Sequence, residues 1–135
     1  MMYPVRHLSV AIQAPPDQVY RFMVDIDTLP QWAGGLAGQT LEQEGEAWVT
    51  DSPMGRIGIR FVPTNAYGVV DHDVTLPDGE VNHNPLRVLP NGDGSEVVFT
   101  LYRLPRMDEA AFEQDAAQIL RDLQTLKRLV EAVRA

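Results

Sequence analysis

The sequence predicts an α+β domain in which a curved antiparallel sheet of about six to seven strands wraps around one long C-terminal helix. Three observations lead there. From Asp108 to Ala135 an unbroken apolar seam (Phe112, Ala116, Ile119, Leu123, Leu126, Val130, Val133) steps by four and three residues, which keeps it on one helical face. Before it, apolar residues alternate in short runs separated by turn residues, the pattern of strands joined by hairpins. Only two short stretches near the start break that pattern with helical spacing. A lone long helix needs a broad concave surface to bury its seam, and hairpin-linked strands supply an antiparallel one. A sheet that grips a helix in this way tends to leave a cavity between them.

The elements follow in order. Tyr3 to Gln13 alternates as a strand, with Val5, Leu8, Val10 and Ile12 as its apolar members. Pro15-Pro16 ends it and starts a helix, because proline's missing N–H costs nothing in a first helical turn. Asp17 to Val24 then buries Val19, Phe22 and Met23, and a second short helix over Asp25 to Trp32 pairs Leu29 with Trp32. Gly34, Gly35 and Gly38 give a flexible exit. Strands are expected over Leu36–Glu42 and Ala47–Asp51 around a Glu44-Gly45 turn, then over Arg56–Val62 after Pro53-Met54-Gly55. Tyr67–Leu76 and Glu80–Leu89 flank an Asp78-Gly79 hairpin turn, and Glu96–Leu104 follows the turn at Asn91–Gly94. Asp108 caps the last helix. Glu109, Glu113 and Asp115 sit towards its positive end, and Lys127, Arg128 and Arg134 towards its negative end.

With 135 residues the chain reads as one domain, residues 1–135, able to bury about two-thirds of its unfolded surface. Its net charge of −8, with Lys and Arg scattered, argues against nucleic acid and against anionic membrane surfaces. The absence of cysteine excludes disulfides, thiolate metal sites and cysteine nucleophiles. No apolar run reaches the ~18 residues of a membrane span, and the N-terminus lacks the apolar core of a signal peptide, so a cytoplasmic protein is expected. There is no phosphate loop, nucleophile elbow or dinucleotide fingerprint, which removes kinase, hydrolase and dehydrogenase readings.

Two stretches resemble the START-like superfamily, the polyketide cyclase/dehydrase and lipid-transport proteins. The first runs from Val10 to Phe22, with Ala14-Pro15-Pro16 at its centre, and on to Asp27-Thr28-Leu29-Pro30-Gln31-Trp32. The second is Asn65-Ala66-Tyr67-Gly68-Val69-Val70-Asp71-His72, leading into the Asn-Gly turn, Glu96–Leu101 and the final helix. The resemblance covers nearly the whole chain. It implies the helix-grip fold, and it admits cyclases, lipid carriers, hormone receptors and co-chaperone-like proteins.

The densest polar group is Asp71-His72-Asp73 with Asn82-His83-Asn84 on the next strand. Alternation places His72 with Val70 and Val74 on one face and both aspartates on the other, so neither acid can flank its own neighbour. A two-residue turn would pair Asp73 with Asn84, and one extra residue in the turn would pair His72 with Asn84. The valine strand-mates favour His72 inward, which requires the second register if Asn84 and Leu86 also face in. His72 and Asn84 are thus the candidate polar groups of a cavity. Trp32, Phe61, Leu86, Phe99, Phe112, Ile119 and Leu123 are candidates for its apolar lining, although such residues are first of all core. Trp48 could stack on a ligand, Met54 could form an adaptable rim, and one of Arg60, Arg87 and Arg103 could turn inward, although Arg60 opposes Ile59 and Phe61.

The expected function is binding of a small apolar or amphipathic molecule between sheet and helix. A second reading is a cyclase- or dehydratase-like enzyme with His72 moving a proton, and a third is a protein-interaction module. No cofactor and no metal is expected. The partner is a small hydrophobic ligand, not nucleic acid or membrane, and the protein is a monomer or homodimer.

Overall fold

The structure is a computed structural model that describes residues 1–36, 39–53 and 55–134, the last by its backbone. Ala37, Gly38, Ala135 and the expected rim residue Met54 lie outside the described residues. The elements are β1 (Val5–Ile12), α1 (Pro16–Val24), α2 (Leu29–Trp32), a 3-10 turn (Gly34–Leu36), β2 (Glu42–Glu44), β3 (Ala47–Ser52), β4 (Gly55–Phe61), β5 (His72–Thr75), β6 (Val81–Asn84), β7 (Leu86–Asn91), β8 (Gly94–Tyr102) and α3 (Glu109–Arg134). The strands are antiparallel, in the orders β1-β8-β7 and β2-β3-β4-β5-β6, and the long helix packs on them. This is the α+β helix-grip arrangement that the sequence predicts.

The two hydrogen-bonded groups form one wrapped surface, because β6 and β7 are halves of a single strand bent at Pro85. His72 faces Asn84 across β5–β6, and the Val69–Arg87 bridge three residues further on keeps the same register. Proline has no N–H to give to a ladder, so the strand changes partners there. Its carbonyl instead accepts from Thr100 N–H of β8 at 3.0 Å. Beyond it, Val70 N–H donates to Leu86 O and Val88 N–H to Gly68 O, both at 2.8 Å. Leu86 N–H goes to the Asp71 carboxylate (2.9 Å) rather than back to Val70.

Several boundaries differ from expectation for local reasons. Leu36 is not the start of a strand but the buried end of the 3-10 turn, and β2 is only the exposed Glu42–Glu44. The strand expected from Tyr67 begins at His72, because the Asn65 side chain organises a loop in its place. Its Oδ1 accepts from Tyr67 N–H (3.0 Å) and Val69 N–H (3.1 Å), and its Nδ2 donates to Val69 O (2.9 Å). Within that loop Gly68 has φ +72°, and a Cβ there would run into the Val88 carbonyl. The β5–β6 turn holds three residues rather than two: Leu76 N–H donates to Glu80 O (2.8 Å), and Gly79 adopts φ +89°.

Asp108 caps α3 as expected, accepting Ala111 N–H at 2.7 Å. The helix is tied to β1 at both ends. Arg6 donates to Glu113 (2.7 Å), Lys127 Nζ donates to Ala11 O (2.8 Å), and Glu131 accepts Gln13 N–H (2.9 Å). Between these ties Phe112, Ala116, Leu123, Leu126 and Val130 are buried. Val133 departs from the expected seam: it is 69 % exposed, because the last turn extends past the Glu131 tie to Gln13 near the end of β1. Val19 and Met23 anchor α1, and Phe22 packs beside them. Among the described residues no helix is long and apolar enough to cross a membrane.

Leu126 is fully buried in the seam, whereas Gln124 is exposed. Leu126→Ala should therefore cost about 2–5 kcal/mol in urea unfolding, and Gln124→Ala should stay within about 0.5 kcal/mol. Equal effects would contradict the packing of this face.

Candidate functional site

Between the inner face of the sheet and α3 lies a cleft of about 1040 Å³. Cross-strand pairs decide which side chains form its floor. Ile59 opposes Val74, Phe61 opposes His72, which in turn opposes Asn84, and Leu86 opposes Phe99, so all of these share one face. On the helix side the wall is Ala111, Asp115, Ile119, Asp122 and Leu123. One end is lined by Leu29 and Trp32 of α2 and by the 3-10 turn. At the other, Val81, Asn82 and His83 of β6 face Leu104, Arg106 and Met107 from the β8–α3 connection.

The structure brings Trp32, Phe61, His72, Asn84, Leu86, Phe99, Ile119 and Leu123 together on this wall. Phe112 is not there. It lies about 100° around the helix from Ala111 and packs into the core instead. Trp48 shares the inner face with Ile59 but does not reach the cleft. The inward-arginine candidates are engaged elsewhere: Arg60 pairs with Glu46 outside, Arg87 with Asp71, and Arg103 Nε donates to Met107 O (3.2 Å).

His72 is held between two phenylalanines, with its ring centroid 5.2 Å from that of Phe61 and 6.3 Å from that of Phe99. Its Nδ1 lies 3.1 Å from Val70 O, which makes Nδ1 the protonated nitrogen of a neutral ring. The expected partner Asn84 sits directly across the strand pair, but the bond goes to this backbone carbonyl, which the bend leaves without Leu86 N–H. Nε2 remains an acceptor without a protein donor among the described residues. Desolvation by the apolar surroundings pushes the imidazole pKa below its ordinary value, against the weaker opposing effect of the Val70 carbonyl. The aspartates lie on the other face, as alternation requires. Asp71 accepts from Arg87 Nε (2.8 Å) and from a terminal guanidinium nitrogen (2.7 Å), and Asp73 bonds His83 Nδ1 (2.6 Å). Hydrogen bonding from Arg87 holds the Asp71 carboxyl below the usual carboxylate range. Among the described residues no group of three or more His, Cys, Asp or Glu side chains could hold a metal ion.

Three charged wall residues were not anticipated. Asp115 and Asp122 lie on a stripe with Ala111 and Ile119, one row round from the buried seam, and that spacing was the available signal. Partial burial raises both carboxyls, and Asp122 is also steadied by Gln118 Nε2 (2.7 Å) and Gly34 N–H (3.1 Å). Arg106 stands in a connection with no periodic pattern to mark it. One polar atom of the wall residues, Trp32 Nε1, is buried with no partner among the described residues.

With fold and cleft defined, the family follows. Residues 7–133 match the family described as polyketide cyclase / dehydrase and lipid transport, and the chain belongs to it. Solved structures share the fold at low identity. XoxI from Bacillus cereus is 15 % identical over 100 % of this chain and 99 % of its own, with a TM-score of 0.71. DynU16, a protein of the dynemicin biosynthetic locus, is 16 % identical over 94 % of this chain and 47 % of its own, with a TM-score of 0.72. Ara h 8.0201 is 9 % identical over 96 % of this chain and 98 % of its own, with a TM-score of 0.69. No curated protein matches the chain.

The state of His72 is directly measurable. An NMR titration of its ring protons should give a pKa below the ~6.5 of a free side chain. Because the folded value is the depressed one, this group's contribution to stability is present above pH ~6.5 and is lost as pH falls through the folded pKa. A pKa above ~6.5 would contradict the desolvated, neutral assignment.

Proposed function

We propose that the protein binds a small apolar or amphipathic molecule in the cleft between sheet and α3. The observation that carries this reading is the wall itself: aliphatic and aromatic side chains broken by a few separate polar groups, around a space suited to one small molecule. Phe61, Leu86, Phe99, Ile119 and Leu123 would enclose the apolar body, with Trp32 at one end. His72 would orient the ligand through Nε2, accepting a hydroxyl or N–H, and Asn84 opposite would supply both a donor and an acceptor. The family description, which joins lipid transport to cyclase chemistry, agrees with an apolar ligand. For proton transfer at His72 the geometry offers less, since its orienting partner is a backbone carbonyl and both neighbouring carboxylates are engaged on the opposite face.

A neutral solvatochromic dye such as Nile red tests this. Native protein should bind it saturably and release it to an unlabelled apolar competitor. Ile119→Trp, placed where the wall stripe and the seam meet, should fill the space and weaken binding by about tenfold or more. Its circular dichroism should stay native. Undiminished dye binding in a folded Ile119→Trp protein would place the site elsewhere.

A further inference from the structure

We propose that Arg106 is a latch across one mouth of the cleft, and that ligands pass by parting the β5–β6 hairpin from the β8–α3 connection. The proposal rests on the binding reading above. β6 is the terminal strand of its hydrogen-bonded group, so among the described residues the edge from Val81 to Asn84 that faces the connection has no strand paired to it. Four exposed wall residues lie there, Val81, His83, Arg106 and Asp115, while the other exposed ones, Tyr3, Gly34, Gly35 and Pro53, lie on other parts of the rim. Among the described residues, the hydrogen bonds that cross the gap come from one side chain. From the connection Arg106 donates to the Glu80 carboxylate, at the end of the hairpin turn, and to Asn82 Oδ1 (2.7 Å) on β6. Further in, Thr100 N–H of β8 donates to Pro85 O at the bend (3.0 Å).

The chemistry suits a latch better than a ligand contact. The Arg106 charge already has Glu80 as an ion-pair partner and Asp115 nearby on α3, so an arriving anion would meet two carboxylates around one guanidinium. The Arg106 and Glu80 side chains are 36 % and 45 % exposed, which makes the pair weak, sensitive to salt and quickly exchanged. Opening the latch breaks side-chain bonds only, while the backbone ladder of β5–β6 remains whole. The walls that would hold an apolar body, Phe61, Leu86, Phe99 and Ile119, lie behind it and need not move.

Glu80 is not part of the wall, so Glu80→Ala removes the ion pair and leaves the latch held only by the Arg106–Asn82 bond, without deleting a wall residue. In stopped-flow binding of Nile red, this variant should raise association and dissociation rates together by about two- to fivefold, with affinity unchanged. Raising salt from about 0.05 M to about 1 M should speed both rates in the native protein and have less effect in the variant. Unchanged rates would overturn the latch. A faster dissociation alone would overturn it too, because Arg106 would then be acting on the bound ligand. If native protein binds no dye, the binding reading fails separately, and amide exchange decides the latch. The Val81 and His83 amides, which point to the free edge of β6 and not to β5, should exchange faster in Glu80→Ala and in Arg106→Ala, and unchanged protection of both amides in both variants would exclude it.

Discussion

The fold turns on one gap in a β-ladder. Where the β6–β7 strand bends at Pro85, Val70 and Leu86 face each other but exchange a single backbone bond, Val70 N–H to Leu86 O. The two groups left over are both taken by neighbouring side chains. The Asp71 carboxylate receives Leu86 N–H, and His72 Nδ1–H donates to Val70 O. Buried backbone groups left unmet would cost about 1–3 kcal/mol each, so these two residues make the bend tolerable. Arg87 then closes over Asp71 in a two-toothed ion pair.

The concave surface depends on that bend. With β5–β6 turned away from β7–β8, inner-face residues from both groups look towards α3 without filling the space in front of it. The helix lies along β1, where its seam is buried and where Arg6–Glu113 and the Lys127–Glu131 cluster tie its two ends. The same geometry explains why His72 combines two roles. Its Nδ1 belongs to the sheet, and its Nε2 remains as a polar atom in an otherwise apolar floor. A residue committed in this way suits recognition, because its ring cannot turn without breaking the bond that replaces the ladder.

Much of this was legible in the sequence. The α3 seam and an inward His72 beside its valine strand-mates follow from period, and Asp108 and Pro15-Pro16 mark helix starts by their chemistry, whereas the facing of Asn84 and Leu86 depended on a turn length that period leaves open. What alternation could not supply was tertiary. Asn65 converts a strand-like run into a loop by side-chain bonds, and no propensity scale sees which backbone groups one asparagine will reach. Phe112 and Ala111 are neighbours in sequence, yet only the position of the sheet decides which of them meets the cleft. Asp71 reads as an exposed strand residue until the bend brings Leu86 N–H and Arg87 to it. Arg106 finds its partners across a gap that only the wrapped sheet creates.

The most direct test of the account is the stability difference between native protein and Asp71→Asn, measured by urea unfolding as a function of pH. Asp71 is 7 % exposed and its carboxyl is held below the usual range, so its contribution should be fully present above pH ~3.9 and vanish as pH falls through the folded pKa. Discounting for the half-exposed Arg87, the variant should be about 1.5–3 kcal/mol less stable near neutrality. The two proteins should then converge in acid. An Asp71→Asn protein as stable as the native one at pH 7, or a gap that persists unchanged into acid, would contradict the claim that this carboxylate holds the bend.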